Sequence, residues 1–229
     1  FLIDTPGDTN FLGDIGYLLT AADAVVFVVD AVDGVKPLTK KLWNEVQNIG
    51  LPGMVVINKI DRERSDFQKS LNDLGEILEM KTVPLFLPIG SETDFKGLLD
   101  VMEEKALYFQ ENGKLKTEEI PADLREQIAA IKETNLENIA ESDDELMEKY
   151  LEEGELTAEE ISNGLRQGVL KGELIPVCAC SALENKGAET IFSMLENLLP
   201  SPLERPAWQA EDGTSRASDP EEPLACFVF

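Results

Sequence analysis

Short apolar runs alternate along this chain with stretches in which apolar residues recur every three or four positions. The runs are residues 1–3, 24–29 and 54–57. Each is too short for a buried helix and rich in Val and Ile, which predicts strands covered on both faces. Between them, Phe11, Ile15, Leu18 and Leu19 share one helical face. Leu42, Val46 and Ile49 share another, in a helix opened by Pro37 and stopped by Gly50, and Phe67, Leu71, Leu74 and Leu78 form a third. Strands and helices alternating over short connections imply an α/β domain: a parallel sheet with crossover helices.

The rhythm breaks at Val83. Residues 83–89 read as a strand, but Pro84 and Pro88 predict that it lies at a sheet edge. From Pro121 the pattern turns helical, with Leu124, Ile128, Ile131 and Ile139 on one face. Ser142-Asp143-Asp144-Glu145 and Thr157-Ala158-Glu159-Glu160 both have capping-box spacing. The second box opens a helix that buries Ile161, Leu165 and Val169. A strand over 174–180 and a helix over 187–199 then restore the alternation. The expected organisation is an α/β domain in residues 1–80 plus 174–200, interrupted by an α+β subdomain in 81–173. A proline-bearing, polar linker follows in 201–223 and a further strand in 224–229. Both ends fall inside apolar runs, so the chain reads as a piece of a longer protein.

Composition narrows the class. An apolar share of 43% with 28% charged residues belongs to a folded chain, and no apolar run reaches the length of a membrane helix. Three cysteines fit a reducing, cytoplasmic compartment better than a disulfide framework. Cys178 and Cys180 would share one face of a strand, and with no histidine in the chain they read as buried thiols, not zinc ligands. The formal net charge of −25 disfavours broad contact with nucleic acid. About half of that charge falls in residues 101–170, either as a solvated surface or as a docking face for a basic protein.

Three motifs each follow an expected buried strand. In Asp4-Thr5-Pro6-Gly7, a carboxylate at a strand's carboxyl end can hold magnesium through water, and the glycine lets a backbone amide approach a terminal phosphate. In Asn58-Lys59-Ile60-Asp61, the Asp61 carboxylate can accept from both N1–H and the exocyclic amine of guanine, which adenine cannot match. The Lys59 stem can cover the purine face, and Asn58 can tie the loop to its neighbours. In Ser181-Ala182-Leu183, a backbone amide can donate to guanine O6. Open α/β sheets bind ligands at the carboxyl ends of their strands, and the order of the three motifs there points to a guanine nucleotide.

Asp4-Thr5-Pro6-Gly7, Ala31-Val32-Asp33-Gly34-Val35-Lys36-Pro37 and Asn58-Lys59-Ile60-Asp61-Arg62 together resemble the translational GTPases. Ile120-Pro121-Ala122-Asp123, Glu145-Leu146-Met147-Glu148-Lys149-Tyr150-Leu151 and Ser181-Ala182-Leu183-Glu184-Asn185-Lys186-Gly187 are similar to elongation factor G in order and spacing. The resemblance implies a P-loop NTPase-type fold, lacking its amino-terminal part, with residues 224–229 beginning a β-barrel second domain. It implies GTP or GDP and Mg2+ as ligands. Asp4 would hold the metal through water and Gly7 the γ-phosphate, within a turn that includes Thr5, Pro6 and Asp8. Asn58, Lys59, Asp61, Ser181, Ala182 and Leu183 would form the base pocket. The implied partner is the ribosome, met through its stalk proteins by the acidic insert, with ribosomal RNA contacts left mainly to other domains. No membrane partner is implied, and the protein would be a monomer. The function implied is ribosome-dependent GTP hydrolysis in translocation or ribosome recycling. Two alternatives are a GTP-binding ribosome regulator with little hydrolysis and a release-factor or ribosome-protection type GTPase.

Two departures from the family pattern matter. No Gly-x-x-x-x-Gly-Lys-[Ser/Thr] loop occurs in the chain, so residues 1–229 alone are expected to bind GTP poorly and to be inactive. Asp8 stands where the family usually has the histidine that orients the attacking water. A carboxylate beside a γ-phosphate adds repulsion, so slow or differently activated hydrolysis is expected.

Overall fold

The computed structural model describes residues 1–5, 7, 12–110, 114–210 and 213–221, with residues 12–14 given by backbone alone. Four parallel strands form one half of a seven-stranded sheet. They are β1 (Val25–Asp30), β2 (Gly53–Asn58), β3 (Thr82–Ile89) and β7 (Ile175–Ala179), in the spatial order β1-β2-β7-β3. Beyond β3 the sheet continues antiparallel through β4 (Gly97–Asp100), β5 (Lys105–Phe109) and β6 (Leu115–Glu119). The helices are α1 (Leu12–Ala21), α2 (Pro37–Ile49), α3 (Phe67–Leu78), α4 (Arg125–Ala140), α5 (Asp144–Glu153), α6 (Ala158–Leu170) and α7 (Ala188–Leu198). The result is the expected α/β sheet with crossover helices.

Alternation along β2 explains the two cores. Val55 and Ile57 join Trp43, Val46, Phe67, Leu71 and Leu74 on the side of α2 and α3. Met54 and Val56 join Leu165, Val169, Met194 and Leu198 on the side of α6 and α7. Side chains of period two thus meet a helical layer on each face. Helix α3 shows how local signals agree. Asp66 caps it by accepting from the Lys69 amide (2.8 Å), and Phe67, Leu71, Leu74 and Leu78 are all buried.

Several expectations are corrected. Residues 1–3 form no strand, and their side chains are exposed, because no strand among the described residues pairs with them. Strand β1 is covered on one face only. Val29 is buried while Val28 is 64% exposed, as no described element packs on that side. Ile49 is exposed, and Trp43 fills the core with its indole N–H donating to Leu78 O (3.0 Å). The two residues flank Val46 on opposite sides, and α2 turns its indole flank inward. Strand β3 is interior, not an edge. Its register with β7 shifts at Pro84, a bulge that tolerates a missing N–H. On the other side Val101 N–H donates to Leu85 O, so Pro88, three positions on, falls at a non-hydrogen-bonded pair with Leu98.

At α5 the cap is Asp143, whose carboxylate accepts from the amides of Glu145 and Leu146, while Ser142 turns its hydroxyl to Ile139 O. A charged acceptor serving two amides outcompetes a hydroxyl. Within the linker, β8 (Trp208–Gln209) and β9 (Ser215–Arg216) pair as a short hairpin, with Gly213 in the left-handed region that its turn requires. Phe11 and the expected strand 224–229 lie outside the described residues.

The second capping box forms as expected. Thr157 Oγ1 accepts from the Glu160 amide (3.3 Å), and Glu160 Oε2 accepts from the Thr157 amide (2.8 Å). The Lys149 ammonium, then the Thr157 amide and hydroxyl, hold the Glu160 carboxyl at about 2. A carboxyl depressed on folding stabilises the fold above its ordinary value of 4.5, and that contribution fades as pH falls towards 2. Melting temperature should therefore fall across that acid window, and Glu160→Gln should fall less steeply than wild type in the same scan.

Candidate functional site

The carboxyl ends of β1, β2 and β7 stand level. Asp30, the last residue of β1, pairs with Asn58, the last of β2, and Ile57 pairs with Ala179 near the end of β7. Three loops therefore emerge side by side at one end of the sheet, where backbone groups are no longer committed to the ladder.

Asn58 joins two of these loops. Its Oδ1 accepts from the Lys59 amide (2.7 Å), from the Ala182 amide (3.0 Å) and from the Cys180 thiol (3.4 Å). Ile60 N–H donates to Cys180 O (3.2 Å), a second tie between the same loops. Lys59 takes a positive φ of 67° and sends its ammonium to Asp30 Oδ2. Asp30 Oδ1 accepts from the amides of Val32 (2.8 Å) and Asp33 (3.3 Å). Burial pushes the Asp30 carboxyl up, but Lys59 and the two amides outweigh it, so the group sits below the ordinary carboxylate range. Burial, opposed by the Ala182 amide and aided by the charge of Asp61, pushes the Cys180 thiol up to about 12. It is a hydrogen-bond donor here and not a nucleophile.

Asp61 is the anomaly. Its side chain is 7% exposed, Oδ2 lies 3.7 Å from Arg62 Nε, and Oδ1 is buried without a hydrogen-bond partner. A buried, unpaired carboxylate oxygen costs free energy unless a donor arrives from outside the chain. A flat edge carrying two N–H donors, such as that of guanine, meets this requirement. Ser181 is fully buried with Oγ accepting from the Glu184 amide (3.2 Å), and Leu183 is exposed. Because Asn58 uses the Ala182 amide, the Leu183 N–H, which makes no hydrogen bond among the described residues, is the amide of this loop left to donate.

The chain from residue 1 to 201 matches the elongation factor Tu GTP binding domain model. The chain belongs to the elongation factor Tu GTP binding domain family. A crystal structure of a protein from Thermus thermophilus is similar to it over 90% of this chain, at 36% identity and a TM-score of 0.83. This chain spans 31% of that protein's length.

Of the residues singled out in the sequence, Asn58, Lys59, Asp61, Ser181, Ala182 and Leu183 come together. Asp4, Thr5 and Gly7 are exposed, with no hydrogen bond or ion pair among the described residues, and Pro6 and Asp8 lie outside those residues. Sequence reasoning missed Asp30 and Cys180 as members of this network. Asp30 carried a signal, a carboxylate closing an apolar strand beside the others. Cys180 carried none, since its part depends on where Asn58 sits. A cleft of about 520 Å³ lies at the opposite end of the sheet, lined by Lys81, Glu141, Asp143, Glu145, Lys171 and Glu173. Its lysines are already engaged, by Glu141 and by Ser142 O, so it argues for no ligand. No helix among the described residues is long and apolar enough to cross a membrane.

Proposed function

We propose that this chain is the GTP-binding part of an elongation factor G-like protein that acts on the ribosome in translocation or ribosome recycling. The observation that carries the guanine reading is the buried, unpartnered Oδ1 of Asp61, set between loops joined by Asn58. Asp61 accepts from N1–H and the exocyclic amine, the Lys59 stem covers the purine, and the Leu183 amide donates to O6. Asp4 holds magnesium through water and Gly7 serves the γ-phosphate, in the turn with Thr5 and Pro6. The metal, when bound, neutralises phosphate charge.

The choice of elongation factor G within the family rests on the motifs of residues 120–123, 145–151 and 181–187. The acidic insert of residues 81–173 is the face offered to the ribosomal stalk, in a cytoplasmic monomer.

Asp8 favours a second reading, a ribosome regulator that binds GTP and turns it over slowly. An ionised carboxylate cannot donate to the attacking water. Ribosome-stimulated hydrolysis by the full-length protein decides between the two. If Asp8 limits turnover, Asp8→His raises the rate by roughly 10²-fold, the lower range for a positioned acid–base group. Equal rates would remove the second reading, and no ribosome stimulation in either protein would remove the first.

A further inference from the structure

We infer that Lys186 is a positioning residue for base recognition, a strut that sets the 181–183 loop against the 58–61 turn by fastening it to Phe95. This rests on the guanine reading of the site. Ser181 and Lys186 exchange both backbone hydrogen bonds, each 2.9 Å, so the loop between them is closed at its neck. Wherever the Lys186 backbone is held, Ser181 is held with it.

The Lys186 side chain then reaches a distant part of the sequence. Its ammonium donates to Phe95 O (2.7 Å), pairs with Glu184 Oε2 (2.6 Å), and lies 5.6 Å and 5.9 Å from the ring centres of Phe95 and Phe109. The anchor is firm. Phe95 is buried, and the two rings pack edge to face at 5.2 Å. Phe95 also closes the turn that grips the other loop. The Glu92 amide donates to Ile60 O (2.8 Å), and Glu92 Oε1 accepts from the Arg64 amide (2.7 Å). One turn between β3 and β4 thus holds both base loops, through Glu92 on one side and through Lys186 on the other.

The ammonium of Lys186 is committed to Phe95 and Glu184, so it acts through the loop and not on the base. Without the strut the loop spends less time in its binding geometry, and apparent Kd rises by the inverse of the competent fraction. Only the contact made by this loop, to purine O6, should suffer. Guanine and hypoxanthine share O6, whereas 2-aminopurine lacks it.

The experiment measures affinities of the full-length protein for GDP, IDP and 2-aminopurine riboside diphosphate, with ADP bound to wild type as the reference. Lys186→Met keeps the apolar stem and should weaken GDP and IDP equally, by about tenfold, the loss typical of one charge-assisted hydrogen bond. The 2-aminopurine nucleotide should bind as it does to wild type, and Lys186→Arg should restore GDP binding. Phe109→Leu, which removes one ring and keeps the Phe95 hydrogen bond, should give the same ranking at smaller size should the methionine variant fold poorly. Equal weakening of all three nucleotides, or of none, would overturn the inference. A wild type that does not prefer GDP to ADP would instead overturn the guanine reading itself.

Discussion

Asp61→Asn is expected to convert the full-length protein from a guanine binder to a xanthine binder. The aspartate carboxylate offers acceptors only, matched to the N1–H and amine of guanine. Asparagine keeps one acceptor and replaces the other with an NH2 donor. Against guanine that donor faces the exocyclic amine, and both are left unpaired in a site where Asp61 is 7% exposed. Xanthine carries an oxygen at the same position and accepts from it. Sites built to hydrogen-bond a ligand reject a mismatched analogue by 10⁴–10⁵-fold, so a change of roughly 10³-fold in the XDP to GDP affinity ratio is a conservative expectation. Competition against a fluorescent nucleotide measures it. An unchanged ratio would place Asp61 outside the base pocket.

The second large effect concerns the turn that grips both loops. Gly90 has a φ of 77°, and a Cβ added there would lie 2.2 Å from Asp94 O, a backbone atom that cannot swing aside. Gly90→Ala therefore combines left-handed strain with a collision, for a loss of about 3 kcal/mol. In a domain of this size that corresponds to a melting temperature lower by roughly 10 °C. Gly50→Ala is the control. Gly50 has nearly the same φ, 72°, but nothing lies within 4 Å of its added Cβ, so only strain of about 1 kcal/mol applies. Calorimetry showing equal losses for the two would mean that the 90–94 turn opens readily, and that it holds nothing in place.

What could be read from the sequence depended on how local the cause was. Helix α3 was legible because all four of its apolar positions lie within one helix, Phe67–Leu78, at helical spacing. Asn58-Lys59-Ile60-Asp61 was legible as a loop because the apolar run before it ends at the strand's end. The interior place of β3 was not legible. Two prolines forbid a central strand only if their missing N–H groups face a partner, and that register is set by β4 and by β7, the second of which is remote from β3 in sequence. Trp43 was hidden by a reading of α2 that weighed spacing without size. The links among Asn58, Cys180 and Ala182, and between Lys186 and Phe95, join positions about 90 to 124 residues apart. No periodicity encodes such contacts. They follow from sheet order, which brings β7 beside β2 and β3.

The bare face of β1 has a consequence for how this polypeptide behaves in solution. Val28 meets water there, and the outer ladder of that strand faces no further strand among the described residues. Such a margin invites a second copy to add alongside. A formal charge of −25 keeps copies apart at low ionic strength, where the Debye length is about 10 Å at 0.1 M and falls to about 3 Å at 1 M. Concentrated electrolyte thus removes the repulsion that guards a sticky border, and dilute buffer is the kinder solvent.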